Sequence, residues 1–189
     1  MHYGRQDIVQ GLSGMSALIG FVLSNFTLTF LVLGFVAAGI AIPVRRGRSG
    51  QHHTWESLLV WFLFFSIGVS FFYNFVMHVF FGDMAASFIG WKQSPFQAEV
   101  GFASLGFAAV GFLAFRDNFG LRLAAILGPS LFLWGAAGGH IYQMVTTDNL
   151  SPGNAGIIFW TDIFLPVLGF VLLWLRYGRN NLAAEQTSS

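Results

Sequence analysis

Residues 89–107, IGWKQSPFQAEVGFASLGF, hold a carboxylate inside a run that otherwise reads as membrane-buried, and the way this run begins decides the fold. Ser94, Pro95 and Gln97 mark a helix start: serine as the N-cap, proline at the first helical position where its missing N–H costs nothing, and glutamine to close a capping box. The helix is expected to continue over residues 96–115, long enough to cross a hydrocarbon layer of roughly 30 Å. Glu99 falls in its first turns, and a carboxylate inside a membrane span demands a reason, because such groups are costly there.

Composition outside this stretch agrees with a membrane setting. Of 189 residues, 55% are hydrophobic and 9% charged, with a mean hydropathy of +0.66, against roughly 25% charged residues in soluble domains. The 23 Phe and 23 Gly supply aromatic bulk for lipid and small residues for close helix approach. No cysteine is present, which excludes thiol nucleophiles, thiolate metal ligands and disulfides. A net charge of +1 without a basic patch gives no sign of a nucleic-acid partner. The first apolar run is longer than a signal peptide's and no cleavage pattern follows it, so it is expected to be retained.

Five apolar stretches are each long enough to span, at about 17–42, 56–81, 96–115, 123–146 and 156–176. The expected fold is an all-α integral membrane bundle of five transmembrane helices. Residues 1–180 form one domain and residues 181–189 a disordered cytoplasmic tail; residues 1–16 read either as a short interfacial helix or as a frayed lead. Arg45, Arg46, Arg48, Arg116, Arg122, Arg176 and Arg179 fall on one side, Arg5 and Lys92 on the other. The positive-inside rule then puts the N-terminus outside and the C-terminus in the cytoplasm. Residues 45–56, with His52 and His53, read as a solvated loop, and residues 116–122 as a hairpin connector.

Sorting the ionisable residues by place isolates a constellation. Asp7, Asp83, Asp117, Asp148 and Glu185 fall in loops or tails, and Glu56 opens a span where the helix dipole favours it. Spans two to five then contribute one titratable group each: His78, Glu99, His140 and Asp162. At 1.5 Å per residue all four lie within roughly 10 Å of one level in the outer half of the membrane. Asn74 lies one turn from His78 and Gln143 one turn from His140, so both extend the polar face. Ala103 and Gly106 share the face of Glu99 and would let that helix pack closely, and Gly135 and Gly139 have the GxxxG spacing of a helix contact. Asn25 and Thr29 are placed to add hydrogen bonds, and Pro166 is expected to kink the last span beside Asp162. Singly, each acid or histidine reads as a helix cap or an interfacial group; four on four helices at one level read as a shared site. The central expectation is geometric: Glu99 within reach of His78, His140 or Asp162.

An internal duplication is also visible. Spans two and three carry His78, Ser94-Pro95 and Glu99, and spans four and five carry His140, Ser151-Pro152 and Asp162, although the acid follows the serine by different intervals.

The segments IGWKQSPFQAEVGFASLG (89–106), GAAGGHIYQM (135–144) and SPGNAG (151–156) followed by Asp162 resemble an uncharacterised family of small bacterial polytopic membrane proteins, a domain of unknown function. The resemblance implies location in the bacterial cytoplasmic (inner) membrane and no defined activity.

Two functional classes follow from the residues. In one, His78, Glu99, His140 and Asp162 ligate a metal ion, with iron, manganese or zinc suited to imidazole and carboxylate donors. A variant holds a b-type haem between His78 and His140, with Asn74 and Gln143 beside it; either makes a membrane redox or hydrolytic component. In the other class the cluster is a hydrogen-bonded pocket for a lipid or quinone in a non-catalytic accessory subunit, associated with membrane lipid, a larger membrane complex or a homo-oligomer. A third reading makes Glu99 and His140 catalytic, exchanging protons with a lipid-soluble substrate.

Overall fold

A computed structural model describes residues 3–44, 51–116 and 118–186, with side chains described for residues 13–43, 53–116 and 118–178. The described residues are mostly helical, and no strand occurs among them. In chain order the helices are α1 (Tyr3–Ser24), α2 (Phe26–Val44), α3 (Gln51–Phe62), a π-helical segment (Leu63–Val69), α4 (Ser70–Phe80), α5 (Gly82–Ile89), α6 (Phe96–Leu113), α7 (Phe119–Thr147), α8 (Pro152–Ala155) and α9 (Ile157–Gln186). Five helical stretches are long and apolar enough to cross a membrane: Phe26–Pro43, His53–Phe80, Phe96–Leu113, Phe119–Thr147 and Pro152–Gly178. These are the five spans expected, with shifted ends.

Several ends differ for identifiable reasons. The first apolar run is broken at Asn25, whose side chain returns to the carbonyl of Phe21, while Thr29 bonds that of Val22. Both groups expected to reach the site are thus used within the break. The polar loop after α2 ends by Gln51, where α3 begins, so His52 and His53 are helical in backbone rather than in a loop; Arg45, Arg46 and Arg48 lie outside the described residues. Asn118 caps α7 by accepting from the Leu121 N–H (2.8 Å), which draws Arg122 out of the expected connector and into the helix's first turn. The last helix continues through Pro166 to Gln186, past the boundary expected at 180.

The spans pack antiparallel, which gives the bundle two ends. One carries the end of α4, all of α5 and α8, and the starts of α6 and α9; it is called the histidine end below. The start of α3, the end of α6 and the start of α7 make the other, the arginine end. The core between them is built on Leu59, Phe62, Leu63, Ile67, Phe71, Ile126, Leu133, Leu165 and Leu172. Helix α6 buries Gln97 and, continuing the same face at spacings of three and four, the small residues Gly101, Ser104, Ala108 and Gly111. It crosses the π-helical segment at Gly111, where an added Cβ would stand 2.7 Å from the backbone N of Gly68. Glu99, Ala103 and Gly106 are on the opposite, exposed face, so the packing face of this helix is not the one the acid marks. Gly135 is likewise exposed with nothing around it, and the GxxxG pair is not a helix contact.

Candidate functional site

Both descending helices at the histidine end follow Ser-Pro-x-amide, and in both the amide turns toward a histidine, Gln97 leaving the capping box expected of it. Neither Ser94 nor Ser151 makes a side-chain cap. Gln97, three residues after Ser94, reaches back to α4, and the Nδ1–H of His78 donates to its Oε1. Asn154, three residues after Ser151, reaches back to α7, and the Nδ1–H of His140 donates to its Oδ1 (2.8 Å). Capping is a weak local preference that exposed backbone satisfies with water, whereas a half-buried imidazole needs a partner. The duplicated element is therefore a histidine on the ascending helix bonded to an amide on the next descending one. The acids, which broke the repeat in the sequence, are not part of it.

Around His78 the pairing extends down the helices. Asn74, one turn below, donates to Ser104 Oγ (2.9 Å), which itself donates to the Val100 carbonyl (2.8 Å). Histidine to glutamine and asparagine to serine make two polar rungs between α4 and α6, with Gly101 between them closing the helices together. Above the upper rung His78, Val79, Gln93, Ser94, Pro95, Gln97 and Ala98 line a cavity of about 460 Å³ that is widely open at the surface. No described protein group bonds the Nε2 of His78.

Around His140 the environment is closed. The ring is buried, Asn154 fully so. Asn154 Oδ1 also accepts from the Trp91 indole N–H (3.0 Å), and its Nδ2 donates to the carbonyls of Asn149 (2.8 Å) and His140 (3.2 Å). The Trp91 ring lies 5.5 Å from the imidazole, centre to centre. Across from Asn154, the Nε2 of His140 faces Asp162 Oδ2 at 3.6 Å, with side-chain exposures of 7% and 5%. One residue before Asp162, Thr161 bonds Thr27 (2.7 Å) and ties α9 to α2.

The chain aligns with a family model over residues 24–181, described as a family of unknown function, DUF6790. The chain belongs to this family. No curated protein and no solved structure matches it. The DUF6790 match takes in both histidine–amide units and all five spans, and leaves α1 outside except for Ser24. A family of unknown function is what the three quoted segments lead one to expect, and the match agrees with that.

Measured against the expected constellation, the geometry of this DUF6790 chain divides it. His140 and Asp162 come together. His78 pairs with Gln97 instead, and Gln143 is half-buried, accepting from Thr147 (3.1 Å) rather than extending the His140 site. Glu99 is exposed and enters no hydrogen bond or ion pair with His78, His140 or Asp162, so the geometric expectation is overturned for this residue. Its helix turns the amide of Gln97 inward, and a residue two positions on points away. Among the described residues no group of three or more His, Asp or Glu side chains is gathered to hold a metal ion, and the four-ligand centre does not fit. His140 does not line the cavity beside His78.

A second polar cluster at the arginine end escaped the sorting. Arg122, fully buried, donates from Nη1 and Nη2 to the two oxygens of Glu56 (2.9 and 2.6 Å), from Nη1 to Tyr177 Oη (3.0 Å) and from Nε to the Ala114 carbonyl (3.2 Å). Arg176 Nε donates to the same carboxylate, and its guanidinium stacks over Tyr177, 4.7 Å from the ring centre. Glu56 had a sufficient local explanation in the helix dipole, and each arginine in the positive-inside rule. The available signal was that Glu56, Arg122 and Arg176 lie just inside the ends of spans meeting at one face.

Proposed function

We propose that this DUF6790 protein is a non-catalytic, lipophile-binding membrane protein, and that the cavity beside His78 receives the hydroxyl-bearing head of a lipid or reduced quinone. The observation that carries this reading is the cavity itself. Its volume, about 460 Å³, suits a head group, and His78 lines it with Nδ1–H committed to Gln97. That bond leaves Nε2 as a lone-pair acceptor for a hydroxyl donor. Ser94 and Gln93 add hydroxyl and amide groups to a wall otherwise formed by Val79, Pro95 and Ala98, the mixture of apolar surface and few polar anchors that small-molecule sites use. Both acids of the histidine end that enter spans are engaged elsewhere or exposed. The site faces the outside of a bacterial inner membrane in this reading, with the C-terminus cytoplasmic.

Binding to full-length protein in nanodiscs tests it, with a short-chain quinol and phosphatidylglycerol as separate probes. One of the two is expected to bind saturably, about tenfold more weakly to His78→Ala, the loss of one useful hydrogen bond, and unchanged to Glu99→Gln. Saturable binding by neither, or equal binding by His78→Ala, rejects the proposal.

A further inference from the structure

The closed environment of His140 constrains its protons. Trp91 Nε1–H can only donate and the carbonyls of Asn149 and His140 can only accept, so the orientation of the Asn154 amide between them is chemically fixed: Oδ1 toward Trp91, Nδ2 toward the carbonyls. The imidazole nitrogen on Oδ1, at 2.8 Å, must then be a donor, and that nitrogen is Nδ1. The neutral ring therefore turns an unprotonated Nε2 toward Asp162 Oδ2 at 3.6 Å. With Asp162 ionised, a lone pair would face a buried anion with no cation to offset it, the uncompensated state that burial penalises most heavily.

We infer that His140 and Asp162 form a proton-binding site, the facing pair carrying one proton on one partner or the other. The proton resides on Nε2 as imidazolium beside carboxylate, or on Oδ2 as carboxylic acid beside imidazole. Transfer between these breaks one N–H bond and forms one O–H bond, and the pair's net charge is zero in both. Loss of the proton to the medium leaves one buried negative charge, so the ligand of this site is the proton itself. The site is independent of the cavity beside His78, and it stands whether or not that cavity binds a lipophile.

The elements around the pair leave its chemistry isolated. Asn154 comes from α8, Trp91 from the connection after α5, and Thr161 from α9 beside Asp162 itself. The other titratable side chains described on these elements and on α7 are Asp83, Lys92, Tyr142 and Asp148, all exposed, and Arg122, Arg176 and Tyr177, which lie together at the arginine end. None of them forms an ion pair with His140 or Asp162 among the described residues. Asn154 also anchors the 149–156 segment, so the same side chain that fixes the tautomer joins the proton site to the cap of the bundle.

Solid-state NMR of full-length protein labelled with ¹⁵N-histidine in nanodiscs reads both ring nitrogens, and infrared spectroscopy reads the carboxyl. At neutral pH, Nδ1 of His140 is expected to be protonated, and a second proton to be found either on Nε2 or in a protonated-carboxyl band that Asp162→Asn removes. Asp162→Asn is expected to leave Nδ1–H in place with Nε2 unprotonated, while Glu99→Gln changes neither signal. His140→Gln assigns the resonance; should it fail to fold, variants of the other four histidines assign it by elimination. An Nε2–H tautomer with bare Nδ1, or a bare Nε2 together with an ionised Asp162, overturns the inference.

Discussion

Two glutamates show how little a residue's type says about its energetic weight in this bundle. Glu99 looked anomalous because it sits in an apolar run, yet its exposed side chain bonds nothing in the site. Glu56 looked ordinary at the start of a span, yet it is the anion on which Arg122 and Arg176 converge. Removing one partner of a buried pair leaves the other charge uncompensated, at a cost of about 3–5 kcal/mol; Arg122 has 0% side-chain exposure and meets this condition. Glu56→Gln should therefore lower stability by about that amount, seen as a lower denaturation midpoint in detergent. Glu99→Gln should stay within about 0.5 kcal/mol of the parent. The site was legible in the sequence as far as depth can be counted: His140 and Asp162 were placed at one level and do meet. Partner choice was not legible. Uncharged amides are invisible to a search for ionisable groups, so Gln97 reads only as part of a cap and Asn154 draws no role at all.

At the scale of the element, five spans and their approximate ends could be read because apolar length is a strong signal, but which face packs could not. In water a helix hides its apolar face; in lipid both faces are apolar, and periodicity no longer separates them. Helix α6 carries small residues on both sides, Gly101, Ser104, Ala108 and Gly111 inward and Ala103 and Gly106 outward, and Glu99 drew attention to the wrong one. Gly111→Ala should cost about 1–3 kcal/mol, as overpacking against backbone does, since its Cβ would meet the Gly68 nitrogen at 2.7 Å. Gly106→Ala, with nothing within 4 Å, should be neutral by the same thermal measurement. Gly90 closes α5 in the left-handed region at φ 76°, where a Cβ would stand 2.3 Å from Ser151 Oγ. Asn149 donates to the carbonyls of Ile89 and Gly90 across this join. Gly90→Ala adds a left-handed penalty of about 1–2 kcal/mol and should separate α5 from α8, detectable as faster hydrogen exchange at residues 88–91.

For the whole molecule the two ends differ in the kind of polarity they hold. Among the described side chains the arginine end carries Arg116, Arg122 and Arg176 against Glu56, whereas the histidine end carries Asp83, Glu99 and Asp148 against Lys92. The pair of His140 and Asp162 adds nothing to that balance while it holds its proton. Pairing Arg122 and Arg176 to Glu56 does not cancel their weight in orientation, because the rule counts Lys and Arg and acids contribute little. The bundle should insert with the arginine end in the cytoplasm, and the absence of cysteine makes a background-free test possible. Asp83→Cys and Arg116→Cys each put one thiol on an exposed position, at opposite ends. In intact cells a membrane-impermeant maleimide is expected to label the first and reach the second only after permeabilisation. The reverse pattern would place both the cavity beside His78 and the His140–Asp162 pair on the cytoplasmic side, where the proton would exchange with a different compartment although every contact described above remained the same.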